Sequence, residues 1–477
     1  MVAMNGDETA TEPRSWLDAP IIDWLVLAVA IAGLLSAHTQ IFGDGVARAE
    51  ATRMLSNGDV PHIKYSLIMP LVAVPWNWMG DALGHRLAVL ARFNLAVFAM
   101  WLAVMWVMLR PRLGERHTRR FLVIVAGASY LAPYLVEFNA EAFSTMCVTA
   151  GLVLLMWGYR TSTRIAGLVV AVIGTANIPA MVPAVALGAI VVVIRTRQWR
   201  VALVPLLAFV LVVIESSWER GSLAMSKYDL ANEMGAKTVL PYSGLPGFRY
   251  PPLFGVLSIV FSFGKGLVFF VPALFLAGPN GASSLASDAR LANARAIATL
   301  RWCLVAVVAG LVIMYSRWWS WYAGQSYGNR FFVIAAIPAA LALVHAIDGP
   351  KRASGADEAD ALRSSRSALG SLLVIAVVAL SVWVTLMGLV FNVRQPALGF
   401  CHLDNDALEH LCWYTPEYTF LWSPFVYGVH WHARDLLLAA ASVVVAAWAM
   451  IGPVRVLALR GRQWLAQWRS QGTGWTW

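Results

Sequence analysis

LFGVLSIVFSFGKGLVFFVPALFLA, residues 253–277, carries a single charged side chain, Lys265. A run this long and apolar reads as a helix across a bilayer, because about 20 residues rising about 1.5 Å each match the hydrocarbon thickness. A lysine inside it costs about 3 kcal/mol unless it reaches polar company, which makes Lys265 a functional candidate. Similar runs recur on both sides of it. The 477 residues are 59% hydrophobic and only 13% charged, with mean hydropathy +0.65. Soluble domains of this size carry about a quarter charged residues. The fold class expected is therefore all-α, a polytopic membrane protein of about 12 transmembrane helices. The runs place helices near 21–37, 87–109, 121–136, 143–158, 165–177, 180–194, 201–217, 253–277, 301–315, 332–347, 369–391 and 434–453.

Arginine sets the expected orientation. RPRLGERHTRR (110–120), RTSTR (160–164) and RTRQWR (195–200) are densely basic, as are 290–301, 351–366 and 455–469. With about twelve spans all of them fall on one side, and the positive-inside rule makes that side cytoplasmic, with both termini. Residues 1–20 then form a cytoplasmic leader, and the first span has no cleavage site for removal as a signal peptide. A core over 21–350 follows, then a linker over 351–367, a helix pair over 368–453 and a basic tail over 454–477. The formal net charge of +10 is mostly this topology signal. Nucleic-acid binding fits poorly, since the bases are spread over short turns. No P-loop, HExxH or finger-type Cys/His cluster is present.

On this topology the outer face owns the long loops 38–86, 218–252, 316–331 and 392–433, expected to bear short interfacial helices. The first reads IFGDGVARAEATRMLSNGDV (41–60) and PHIKYSLIMPLVAVPWNWMGDALGHR (61–86). Asp44 follows the first span, Arg48, Glu50 and Arg53 come at helical spacing, and Lys64-Tyr65-Ser66-Leu67 opens a second apolar stretch. Ionisable groups at a membrane face are functional candidates by default.

This loop, with Gly84 and Arg86 leading into the second span, resembles the first outer loop of the GT-C superfamily of integral membrane glycosyltransferases. The branch it is most similar to holds aminoarabinose transferase and protein O-mannosyltransferase. Phe263-Gly264-Lys265-Gly266-Leu267 with Pro272 resembles the family's eighth span. Ser316-Arg317-Trp318-Trp319-Ser320-Trp321-Tyr322, then Gly324 and Tyr327-Gly328-Asn329-Arg330-Phe331, resembles its tryptophan-rich outer loop. Two departures stand out. Gly45 follows Asp44 where the family usually has an acid, and Tyr65-Ser66 follow Lys64 where two prolines are common.

The resemblance implies an inverting enzyme of the bacterial cytoplasmic membrane. It would move a sugar from a polyprenyl-phosphate donor to an extracytoplasmic glycan, lipid or protein acceptor. A lipid phosphate leaving group calls for fixed cations, for which Lys64, Arg86, Lys265, Arg317 and Arg330 are candidates. The acceptor hydroxyl calls for a base, with Asp44 first and Glu50 second. Tyr65, Trp318, Trp319, Trp321, Tyr322 and Tyr327 are candidates for holding the sugar or acceptor.

Each candidate has a plainer reading. Asp44 serves equally as a helix N-cap, Glu50 pairs with Arg53 at i,i+3, Arg86 snorkels, and the tryptophans form an interfacial belt. In the last outer loop, GFCHLDNDALEHLCWYTPEYTFLWSPFVYGVHWHARD (399–435), Cys401 and Cys412 are expected to form a disulfide. His402, Asp404, Asp406, Glu409 and His410 lie between them, with His430 and His432 beyond. Their spacing matches no zinc or calcium loop, and a divalent-metal cofactor stays open. A transporter or flippase for a lipid-linked or polar solute is the alternative class, and a non-catalytic envelope scaffold a third.

Overall fold

The computed structural model describes residues 19–220, 237–276, 288–324, 326–348, 367–391, 406–422, 425–426 and 431–472. The protein is all-α. Helices α1 (Pro20–Ser36), α2 (Asp44–Ser56), α3 (Ile68–Ala82), α4 (Arg86–Leu90) and α5 (Phe93–Leu113) come first. They are followed by α6 (Glu115–Gly127), α7 (Ala132–Leu135), α8 (Ala140–Trp157), α9 (Thr161–Ala176), α10 (Met181–Thr196) and α11 (Leu203–Arg220). Next are α12 (Pro252–Phe261), α13 (Leu267–Phe270), α14 (Asp288–Tyr315) and α15 (Ala336–Ala346). The chain closes with α16 (Ala368–Phe391), α17 (Leu411–Tyr414) and α18 (Ala433–Gly472).

Among the described residues, six helical stretches are long and apolar enough to cross a membrane: Arg86–Leu113, Ala140–Trp157, Trp199–Trp218, Leu291–Tyr315, Ala368–Val390 and Ala433–Leu465. Five shorter apolar helices accompany them, α1, α9, α10, α12 and the stretch Arg330–Ala346. This is a multi-pass membrane protein. α8 and α15 lie at its centre with almost every side chain buried. Outer helices such as α11 keep Leu206, Phe209 and Ile214 exposed, an apolar surface that needs lipid to cover it.

Lipid tails give apolar helices little reason to associate, so close backbone contact at small residues must hold them. The α8–α9 hairpin does this with Gly151, Gly167 and Gly174. A Cβ on Gly151 would lie 2.3 Å from the Ala171 nitrogen. α10 and α14 meet in the same way, Gly310 lying against the Ala184 backbone.

Three stretches expected as single helices are broken. The stretch 87–109 parts at residues 91–92 into α4 and α5. The stretch 121–136 stops at Gly127, turns over Ser129, whose hydroxyl donates to the Val125 carbonyl at 2.7 Å, and resumes at α7 around Pro133. The stretch 253–277 stops at Phe261, and only the short α13 and a 3₁₀ turn (Pro272–Phe275) follow. Between them the Gly264 amide donates to the Trp413 carbonyl at 2.9 Å. A Cβ there would sit 2.0 Å from the Cys412 oxygen. Glycine thus lets α17 press directly on the break.

At the start of α1 a second set of charges is locked inside the bundle. Asp23 accepts from Arg119 Nε at 3.0 Å and from Trp448 Nε1 at 3.1 Å. Arg120 pairs with Asp348, which also meets His117 Nε2 at 2.5 Å. These contacts tie α1, α6 and α18 to the end of α15.

Candidate functional site

The loop expected between the first two spans forms α2 and α3, joined by the turn at Lys64–Leu67. Two devices fix it over the bundle. Gln40 forms a parallel bridge with Glu137, its amide donating to the Val136 carbonyl at 3.0 Å while the Phe138 amide donates back at 3.2 Å. Glu215, buried near the end of α11, accepts from the Ser66 hydroxyl at 3.0 Å and from the Leu67 amide. Gly45, next to Asp44, is pressed against the Gln40 bridge. A Cβ there would lie 2.8 Å from the Phe138 carbonyl, so the bridge leaves no room for an acid after Asp44.

Asp44 is the first residue of α2, with Gly43 at the N-cap and no side-chain cap. Its carboxylate is turned away from its own helix. Oδ1 accepts from the Tyr65 hydroxyl at 2.5 Å and Oδ2 from Arg330 Nη2 at 2.5 Å. Arg48, one turn along α2 and buried, places its guanidinium 4.3 Å from the centre of the Tyr65 ring. Arg330 Nε also lies 3.5 Å from Glu141 Oε1, in the first turn of α8. Burial alone would raise the Asp44 pKa. The Arg330 charge, the Tyr65 hydrogen bond and the Arg48 charge outweigh it and hold the carboxyl below its usual range. Tyr65 is pushed up by its burial and by Asp44.

Arg330 reaches Asp44, 286 positions away in the chain, through a stepwise build-up. Tyr327 is fully buried, and its carbonyl accepts from the hydroxyls of Tyr130 and Tyr134. Gly328 has φ +57°, and a Cβ there would strike the Tyr130 hydroxyl at 2.5 Å. Asn329 donates to the Trp321 carbonyl at 2.7 Å. Phe331 stacks on Tyr315 with ring centres 4.0 Å apart. Lys265, in the break after α12, donates to the carbonyls of Gly324, Ser326 and Gly328 at 2.7, 2.7 and 2.9 Å. An ammonium has three protons, and all three are engaged. A phosphate at Lys265 would have to displace a carbonyl. Its charge still lies within electrostatic range of Arg330 and Glu409.

The remaining candidates are dispersed. Glu50 pairs with Arg53 on the exposed face of α2, with half of its side chain in solvent. Arg86 opens α4 within electrostatic range of Glu50. Arg317 is exposed, and Lys64 flanks the Tyr65 ring at 5.3 Å. Trp321 and Tyr327 are fully buried, so neither ring has a face left for a sugar. Trp321 packs on Trp413, and Tyr322 stacks on it at 4.0 Å. Trp318 is buried against Phe248, and Trp319 is half-buried beside it. These rings weld the 316–322 loop to α17. Among all the candidates, the structure brings Asp44, Tyr65 and Arg330 into contact.

Arg48, Glu137 and Glu141 were not among the expected site residues. The signal was present in Glu137-Phe138-Asn139-Ala140-Glu141, two acids in a turn between apolar runs. Glu141 is 6% exposed, and its Oε2 has no hydrogen-bond partner. Cys412 is disulfide-bonded, and Cys401, the partner expected for it, lies outside the described residues. Cys147 and Cys303 are free thiols. His402, Asp404 and His430 also lie outside the described residues. Among the described residues, no three His, Cys, Asp or Glu side chains are grouped to hold a metal ion.

A cavity of about 450 Å³ opens on the other side of the Gln40 bridge, lined by His38–Ile41, Arg92 and Arg434 among others. It does not include Asp44, Tyr65 or Arg330. No family model matches the chain, and neither a curated protein nor a solved structure does so.

Proposed function

We propose that this protein is a glycosyltransferase of the bacterial cytoplasmic membrane, built on about twelve spans of GT-C type with both termini cytoplasmic. It transfers a sugar from a polyprenyl-phosphate donor to a glycan, lipid or protein acceptor at the outer face. The observation that carries this reading is the contact between Asp44 and Arg330. A helix-end carboxylate and a guanidinium from the far half of the chain meet at the head of a membrane bundle. The acceptor oxygen attacks the anomeric carbon and the bond from that carbon to the phosphate oxygen breaks. The hydroxyl proton passes to Asp44, and the electron pair leaves on the phosphate. Arg330 serves both ends of the step, since a guanidinium fork suits phosphate as well as carboxylate. With Arg330 on it, Asp44 is a weak base. A phosphate that draws the guanidinium away raises the proton affinity of Asp44 when the acceptor must lose its proton.

The test is transfer of a radiolabelled sugar from prenyl-phosphate donors by the purified protein, with Asp44→Asn beside wild type. Loss of transfer with donor binding retained supports the reading, and transfer at the wild-type rate by the variant removes it.

One observation favours a transporter or flippase instead. The break at Ser262–Gly266 interrupts an apolar stretch around a buried lysine, and discontinuous helices mark transporter sites. Movement of a lipid-linked sugar across proteoliposomes without any glycosyl transfer would select that reading.

A further inference from the structure

We propose that the cavity between α1, α4, α5 and α18 binds the headgroup phosphate of an anionic lipid of the surrounding bilayer. Its volume of about 450 Å³ falls in the range of small-ligand sites. The polar part of its lining is cationic or neutral: Arg92, Arg434, His38 and Thr39 border it, and among the described residues no carboxylate does. Arg92 spends one Nη1 contact on the Ala88 carbonyl at 2.8 Å, and Arg434 Nη1 lies 3.4 Å from His38 Nδ1. Two acids of the adjoining segments are held elsewhere. Asp435 accepts from the His432 amide at 2.9 Å, and Glu137 lies behind Gln40.

Two longer helices also begin here. Arg92 is the N-cap of α5, and Arg434 lies in the first turn of α18. The positive potential of the notch comes from the two guanidinium groups, since Asp435 already caps the start of α18. The other wall is apolar. Leu35 and Leu87 line it and remain exposed, with Leu436 and Leu437 exposed nearby. A cationic notch beside a lipid-facing apolar wall matches a phosphate that carries acyl chains better than it matches a free anion. The site is separate from the Asp44 cluster, so it does not depend on the transfer reading.

Native mass spectrometry of the delipidated full chain in detergent tests this. The titrants are phosphatidylglycerol, phosphatidylcholine and inorganic phosphate. One phosphatidylglycerol per chain is expected, and Arg92→Gln/Arg434→Gln should weaken it about tenfold or more. Arg92→Lys/Arg434→Lys should restore most of the binding, and Asp44→Asn should leave it unchanged. Equal retention of the two lipids would overturn the proposal, as would undiminished binding by a monodisperse double Gln variant. Displacement of the lipid by millimolar inorganic phosphate would reassign the cavity to a free anion and overturn the lipid.

Discussion

The two buried charge clusters stand at opposite ends of α1, one around Asp23 and one around Asp44. Both centre on an aspartate whose two oxygens are hydrogen-bonded. At Asp23 the donors come from helices already packed together, and the carboxylate and Arg119 side chains are each 7% exposed. At Asp44 the donors come from a turn and a 3₁₀ segment, and the carboxylate and Arg330 are 23% and 20% exposed. The Asp44 cluster also holds Glu141 Oε2 and Arg48 Nε without hydrogen-bond partners. Rigid, sealed charges suit a structural clasp. Charges that solvent reaches suit a place where a ligand arrives.

Four substitutions break or sharpen this contrast. Asp44→Asn should lower sugar transfer about 10²–10⁴-fold, the usual worth of a positioned base, while the melting midpoint stays near wild type. Arg119→Gln should do the reverse. It leaves Asp23 buried without its main partner, a loss of about 3–5 kcal/mol, seen as a lower unfolding midpoint with transfer per folded molecule unchanged.

Asp348→Asn comes next. Burial would raise the Asp348 pKa, but the hydrogen bond and charge of His117 and the charges of Arg120 and Arg116 lower it to about 2 from 3.8. A depressed carboxylate pKa stabilises the fold above the unfolded value and ceases to do so as pH falls through the folded one. The variant should therefore be less stable by about 1–3 kcal/mol at neutral pH. The gap should close between about pH 4 and pH 2 in a pH series of thermal unfolding. Glu50→Gln should change least, with transfer within about twofold of wild type, because exposed ion pairs contribute little. A large loss of transfer there would move the base from Asp44 to Glu50.

The helical membrane character was readable in composition, and Asp44, Tyr65 and Arg330 could be picked out one by one. That Asp44 and Arg330 share a site was an expectation from the resemblance. What holds them together, the Gln40–Glu137 bridge and Glu215 gripping Ser66 from 149 residues away, left no trace in composition or spacing. Hydropathy also hid the helix breaks, the one in 253–277 among them. Ser262, Gly264 and Gly266 are too apolar as a group to interrupt a window average. In the break the Gly264 amide bonds instead to a carbonyl of α17, remote in sequence. Trp321 and Tyr327 misled for a related reason. Large aromatic rings serve sugar stacking and core packing alike, and only their enclosure decides between the two.

The carbonyl cage around Lys265 separates two properties usually lost together. Three short contacts to carbonyl oxygens match the three donors of an ammonium. Its donors are spent, yet hydrogen bonds to neutral groups do not cancel a charge. As an ammonium, Lys265 places a positive charge near Arg330 without offering a hand to any guest, and an anion held at the guanidinium would feel it.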